Sequence, residues 1–140
     1  MVKVLHSDAQ PQLLDALLAL FETKWPDFES TLTNERFPSP LLLLAAPNRL
    51  VGGLSFTTAL LPDRATEAVW INAVMVLPEF QRKGFASELI DLGCATANAF
   101  GTDRLFVYTD VPNLYIKLGW QKVTSDKGGQ VFSKVLGCAQ

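Results

Sequence analysis

Two rhythms divide the apolar positions of this chain. Leu13, Leu14, Leu17, Leu18, Leu20 and Phe21 recur at helical spacing, which predicts an amphipathic helix over roughly Gln10 to Thr23. Pro26 limits it, because a proline disfavours helical geometry in the residue before it. A second stripe of Phe85, Ala86, Leu89, Ile90, Gly93, Cys94 and Ala97 predicts a helix from Gly84 to about Phe100, with Gly101 placed to end it. The other apolar runs have strand length: Val2–Leu5, Leu41–Ala46, Leu50–Leu60, Ala68–Leu77, Leu105–Tyr108, Trp120–Val123 and Val131–Leu136. Pro47-Asn48 turns the second run back on the third as an antiparallel hairpin. The last two runs form a hairpin around Ser125 to Gln130, which contains Gly128-Gly129. Gly52-Gly53 inside a strand predicts a bulge or a close backbone approach. Ala68–Leu77 is nearly all apolar, as in a strand covered on both faces.

Strand, helix and strand over 68–108 predict a right-handed βαβ unit with parallel strands. Trp25 to Pro40 reads as irregular, with a short helix around Glu29 to Arg36. Its large apolar residues Trp25, Phe28 and Phe37 either pin the segment to the core or line a pocket. Asn113 to Leu118 reads as a short helix stopped by Gly119.

The junction between the fourth strand and the second helix carries the clearest chemistry. Val74 to Ile90 passes from an apolar run through Pro78 and Gln81-Arg82-Lys83-Gly84-Phe85-Ala86 into the helix. A helix N-terminus leaves backbone N–H groups free, and its dipole favours an anion. Gly84 has no Cβ to hold a phosphate away, and Arg82 and Lys83 add positive charge. These features together suggest a pyrophosphate cradle. It is not the dinucleotide fingerprint, which needs three glycines, and no Gly-Lys-Ser/Thr follows to make a P-loop.

Composition narrows the setting. The chain has 140 residues, 49 % hydrophobic and 19 % charged, enough for one domain with a substantial core, read here as 1–140. A net charge of -2 with no long basic block gives nucleic-acid binding no electrostatic support. Leu41 to Ala46 is far too short to span a bilayer, and Val2-Lys3-Val4-Leu5 carries no secretory pattern, so no membrane partner is expected. Two cysteines, Cys94 and Cys138, make no disulfide framework, so a cytoplasmic location is expected. His6 is the single histidine, which argues against a metal site or a histidine-based triad.

The spacing Gln81-x-x-Gly84-x-Ala86 resembles motif A of the GNAT acetyltransferase superfamily, Gln/Arg-x-x-Gly-x-Gly/Ala. Asn113-Leu-Tyr-Ile-Lys-Leu-Gly-Trp120 resembles its motif B, a helix carrying Leu-Tyr-x-Lys-Leu-Gly and then an aromatic residue. The two matches stand in the superfamily's order, on either side of the predicted strand Leu105–Tyr108. The resemblance implies a mixed α/β fold: a mostly antiparallel sheet, flanked by helices, with one parallel pair splayed apart. The pantetheine arm of acetyl-CoA, the cosubstrate, would enter that gap against backbone groups of Val74, Met75 and Val76, one of whose N–H groups would polarise the thioester carbonyl. Arg82, Lys83, Gly84, Phe85, Ala86 and Ser87 would hold the pyrophosphate. Asn113 would stand in, on a shorter loop, for an asparagine that contacts the cofactor in many relatives.

The implied reaction is N-acetyl transfer to a primary amine of a small molecule or peptide, by direct attack in a ternary complex. Tyr115 matches the superfamily's usual acid, which reprotonates the departing thiolate. For the base, Glu67 at the start of its strand is the first choice and Asp110 the next. Phe56, Trp70 and Trp25 would wall the amine site, with Asp63 and Glu67 attracting a cation. The competing reading is a non-catalytic acyl-CoA sensor, which needs the cradle but no acid. A homodimer is left open.

Overall fold

The computed structural model describes residues 2–28, 31–63, 65–125 and 129–136. The elements are β1 (Val2–His6), α1 (Leu14–Lys24), β2 (Leu41–Ala45), β3 (Arg49–Leu60), β4 (Glu67–Val76), α2 (Phe85–Phe100), β5 (Arg104–Thr109), α3 (Pro112–Lys117), β6 (Gln121–Ser125) and β7 (Gln130–Val135). The strands make one seven-stranded sheet in the order β1-β2-β3-β4-β5-β7-β6. Among the described residues only β4 and β5 are parallel, joined through α2, as the βαβ pattern requires. The final hairpin joins β5 through β7, which leaves β6 at the edge. This is the mixed, mostly antiparallel, helix-flanked sheet expected from the sequence.

The periodicities explain the layers. Leu17 and Phe21 of α1 bury with Leu42, Leu44 and Ala73 on one face of the sheet. Leu89, Ile90 and Ala97 of α2 bury with Leu41, Leu43, Leu54 and Phe56 on the other. Helices on both faces make β2 apolar at every position rather than at alternate ones.

β4 breaks its own alternation. Val69 and Ile71 join the α2-side core, and so do Val74 and Val76. Ala73 and Met75 face the α1 side. The register against β3 runs Ser55↔Ala73 and then Phe56↔Ile71, so Asn72 has no partner residue. One extra residue in a strand bends it, strengthens its twist and moves the following side chains to the opposite face. Pairing with β5 consists of Trp70↔Phe106 and Ile71↔Val107 and goes no further.

The close approach expected at the glycine pair is present, whereas the short helix expected before β2 is absent over its described residues. The bulge on β3 falls at Val51, beside the glycine pair, because Leu43 pairs with Gly52 and Leu44 with Leu50. The glycines answer to close approach: a Cβ on Gly52 would lie 2.3 Å from the Met75 carbonyl oxygen, and one on Gly53 2.5 Å from Leu17 Cδ1. Within the predicted helix of 29–36, residues 31–36 are not helical, and a bridge joins Asn34 to Phe37. Glu29, Gly128 and Cys138 lie outside the described residues.

Candidate active site

The loop between β4 and α2 is shaped by backbone conformation. Gln81 donates from Nε2 to the Val76 carbonyl oxygen at 2.8 Å, tying the loop to the strand end. Arg82 (φ 65°) and Gly84 (φ 86°) are both left-handed. A non-glycine residue in that region is held at a cost of about 1–2 kcal/mol, and such strain clusters at ligand sites. Gly84 is the N-cap of α2 and, having no side chain, offers no capping bond. A Cβ there would meet nothing within 4 Å, so the backbone requires glycine for its φ while the space in front stays open. Arg82 and Lys83 are exposed beside it. Uncapped amides, a helix dipole and two cations fit a pyrophosphate.

From this loop a cleft of about 980 Å³ runs between β4 and β5. It begins where the parallel pairing stops, at Ile71↔Val107. β4 goes on pairing with β3 as far as Val76, and β5 with β7 as far as Thr109. The open edge of β4 is therefore free to accept an extended ligand in place of a strand. Asn72, Val74, Met75 and Val76 line this edge, and Ala86 lines the end near the cradle. Thr23, Lys24 and Trp25, at the end of α1, line it too. Lys24 Nζ stands 4.8 Å from the centre of the Trp25 ring.

Tyr115 of α3 lines the cleft and is 3 % exposed. Its ring meets Trp120 edge-on, centroids 5.2 Å apart, and stacks on Phe132 at 6.3 Å. Burial, with a smaller effect from the Cys94 thiol, pushes its phenol above the ordinary value of 10.0, so it is a neutral proton donor at neutral pH. Cys94, on the core side of α2, is pushed up to about 11 by burial, against the pull of Lys134.

The structure thus brings Val74, Met75, Val76, Ala86 and Tyr115 to one cleft, with Arg82, Lys83 and Gly84 in the loop at its end. Phe85 packs toward the core and Ser87 is half-buried in the first turn of α2. Other expected positions fall elsewhere. Glu67 is exposed, pairs with Arg36 and does not line the cleft. It lies five residues before Asn72, about 16 Å along a strand, so its position does not suit it to be the base. Asn113 is exposed on α3, outside the lining. Phe56 is fully buried in the α2-side core, and Trp70 packs on Phe106 and donates from Nε1 to the Ala59 carbonyl oxygen; neither walls the cleft. Trp25 serves both readings, because it packs in the α1-side cluster and lines the cleft. Asp63 accepts from the Ala65 and Thr66 amides, which lower its pKa, so it closes a turn. Asp110 is the one carboxylate in the lining among the described residues.

One residue escaped the sequence reading. Asn72 is at the vertex of the cleft, and its Nδ2 is buried without a hydrogen-bond partner among the described residues. An unpaired buried donor costs about 1–3 kcal/mol. The signal was present, since Asn72 is the single polar residue in the run Ala68–Leu77.

Known structures share this architecture. An N-acetyltransferase from Staphylococcus aureus superposes with a TM-score of 0.72 at 14% identity, over 96% of this chain and 98% of its own. The ribosomal-protein-S18-alanine N-acetyltransferase of Escherichia coli gives 0.67 at 14% identity, over 100% and 97%. N-acetylglutamate synthase from Neisseria gonorrhoeae, complexed with coenzyme A and N-acetyl-glutamate, gives 0.67 at 19% identity; the match covers 99% of this chain but 36% of the synthase. No curated protein sequence matches the chain. Among the described residues no helix is long and apolar enough to cross a membrane. The model of the acetyltransferase (GNAT) family matches residues 10–120, four-fifths of the chain and the whole of the cleft, and the chain belongs to that family.

Proposed function

We propose that residues 1–140 act as one cytoplasmic N-acyltransferase unit that transfers the acetyl group of acetyl-CoA to a primary amine of a small molecule or peptide. The observation that carries this reading is the parting of β4 from β5 beyond Ile71↔Val107, in line with an uncapped helix N-terminus. A slot one strand wide ending in an anion site fits a ligand with a pyrophosphate and a long polar arm. The presence of coenzyme A in the gonococcal synthase complex supports the same donor.

Acetyl-CoA, when bound, supplies an acyl group activated as a thioester. Amides of Gly84, Phe85, Ala86 and Ser87, with Arg82 and Lys83, hold the pyrophosphate. Backbone groups of Val74, Met75 and Val76 align the arm, and one N–H polarises the carbonyl. The amine attacks directly within the ternary complex and must do so neutral, although a free alkylamine is mostly protonated at neutral pH. Asp110, at the cleft, takes its proton in place of Glu67. Tyr115 gives its proton to the departing sulfur.

Calorimetric titration with acetyl-CoA, CoA and ATP tests the donor. Saturable binding of acetyl-CoA and CoA, with none for ATP, is expected. Absence of binding by folded protein overturns the reading. Binding without thiol release across a panel of amines replaces the enzyme with an acyl-CoA sensor.

A further inference from the structure

At the vertex of the cleft lies a polar group without a role in the scheme above. Asn72 is the extra residue of the β4 bulge, one position beyond the last pair with β5. It lines the cleft, and its Nδ2 has no hydrogen-bond partner among the described residues. The surrounding strand residues Ile71, Ala73, Val74, Met75 and Val76 are all apolar.

The cleft also has a direction. The cradle follows the C-terminal end of β4, and Asn72 lies four residues back from Val76, about 13 Å along the strand. An arm anchored at the cradle and laid along the open edge therefore brings its reacting end to Asn72. A carboxamide does not titrate at any working pH, so it serves as neither acid nor base. Its terminal torsion is broad, so Nδ2 can turn toward a ligand oxygen. Ser55 Oγ is also unpartnered, but Ser55 is fully buried opposite Ala73 and does not line the cleft.

We infer that Asn72 donates a hydrogen bond from Nδ2 to the acyl carbonyl oxygen, as a side-chain partner to the backbone amides of β4. This rests on the acyl-transfer reading above. As the amine nitrogen bonds to the carbonyl carbon, an electron pair shifts to the oxygen. That pair returns as the carbon–sulfur bond breaks. The amine proton leaves to Asp110, the thiolate takes the Tyr115 proton, and Asn72 keeps its own. Donors held where charge develops are among the larger contributions to acyl transfer.

The test compares wild type with Asn72→Ala and the near-isosteric Asn72→Leu. Calorimetry reads acetyl-CoA against CoA affinity, and isotope-edited infrared spectra read the carbonyl band of labelled acetyl-CoA. In Asn72→Ala the preference for acetyl-CoA over CoA should fall about three- to tenfold, with CoA affinity kept within about twofold. The carbonyl band should return toward its position in water. Asn72→Leu keeps the branched shape, removes the donor and should lose a similar preference, so one misfolded variant leaves the question answerable. An unchanged preference and band in a folded variant overturns the role. Equal losses for CoA and acetyl-CoA make Asn72 structural and overturn it too. A wild type that binds neither ligand removes the donor site itself, an outcome distinct from failure of Asn72 alone.

Discussion

The two halves of β4 have nearly the same composition and opposite purposes. At Trp70 and Ile71 the strand lies between neighbours on both sides, and Trp70 closes a small cluster with Phe106 and Val131. From Asn72 to Val76 it keeps β3 but loses β5, and its free edge becomes the wall of a cleft. One unmatched residue separates the two regimes. The contrast shows that an apolar run marks a covered strand without showing what covers it. At Trp70 and Ile71 the cover is protein; beyond them the edge of the strand opens on the cleft.

The sharpest way to break this comparison is to damage one half and read both outcomes. Trp70→Ala should cost about 3–5 kcal/mol of stability, seen as a lower denaturant midpoint. Affinity for acetyl-CoA in the folded fraction should stay within about twofold; a large selective loss would return Trp70 to the site. Tyr115→Phe, on the open side, should show the reverse pattern. Turnover should fall about a hundredfold with acetyl-CoA affinity nearly unchanged, and equal losses in both would remove the acid role. Because burial raises the phenol's pKa above 10.0, Tyr115 should impose no alkaline fall in turnover below that pH.

Gly84→Glu sharpens the contrast at the anion end. It forces a left-handed φ on a side chain and places a carboxylate at the cradle. Acetyl-CoA and CoA affinity should drop together by about tenfold or more; full retention would remove the cradle. Alkaline stability gives a smaller effect. Cys94 is raised from 9.0 to about 11 in the folded chain, so above pH 9 the unfolded chain releases a proton that the folded one keeps. Stability should be intact below pH 9 and decline toward pH 11, and Cys94→Ala should flatten that decline in thermal melts. The smallest change is expected from Glu67→Gln. Its partner Arg36 is exposed as well, and exposed pairs contribute about 0–1 kcal/mol. Turnover should hold within about twofold, and a drop of a hundredfold would restore Glu67 as base.

What could be read early and what could not follows from how each signal is encoded. The left-handed loop that opens α2 was legible because its parts are consecutive: a strand end, Gln81, two cations, Gly84 and a helix start. The place of Tyr115 at the cleft followed from the resemblance of Asn113 to Trp120 to motif B, whose short helix and glycine stop are local. Glu67 looked well placed because it begins the strand that reaches the site, but distance along β4 and the Arg36 contact separate it from the cleft. Trp70 and Phe56 looked like pocket walls because strand alternation alone does not distinguish a face under a helix from a face over a ligand.

By itself the sequence determined the seven strands, the two long helices, their order and the βαβ unit, because periodicity, turn residues and helix ends act over a few neighbours. The tertiary structure decided where β4 and β5 part, which carboxylate reaches the cleft and that Asn72 stands at its vertex. Those outcomes depend on the register of β4 against β3, a pairing between residues far apart in the chain. A single extra residue there reverses every side chain that follows.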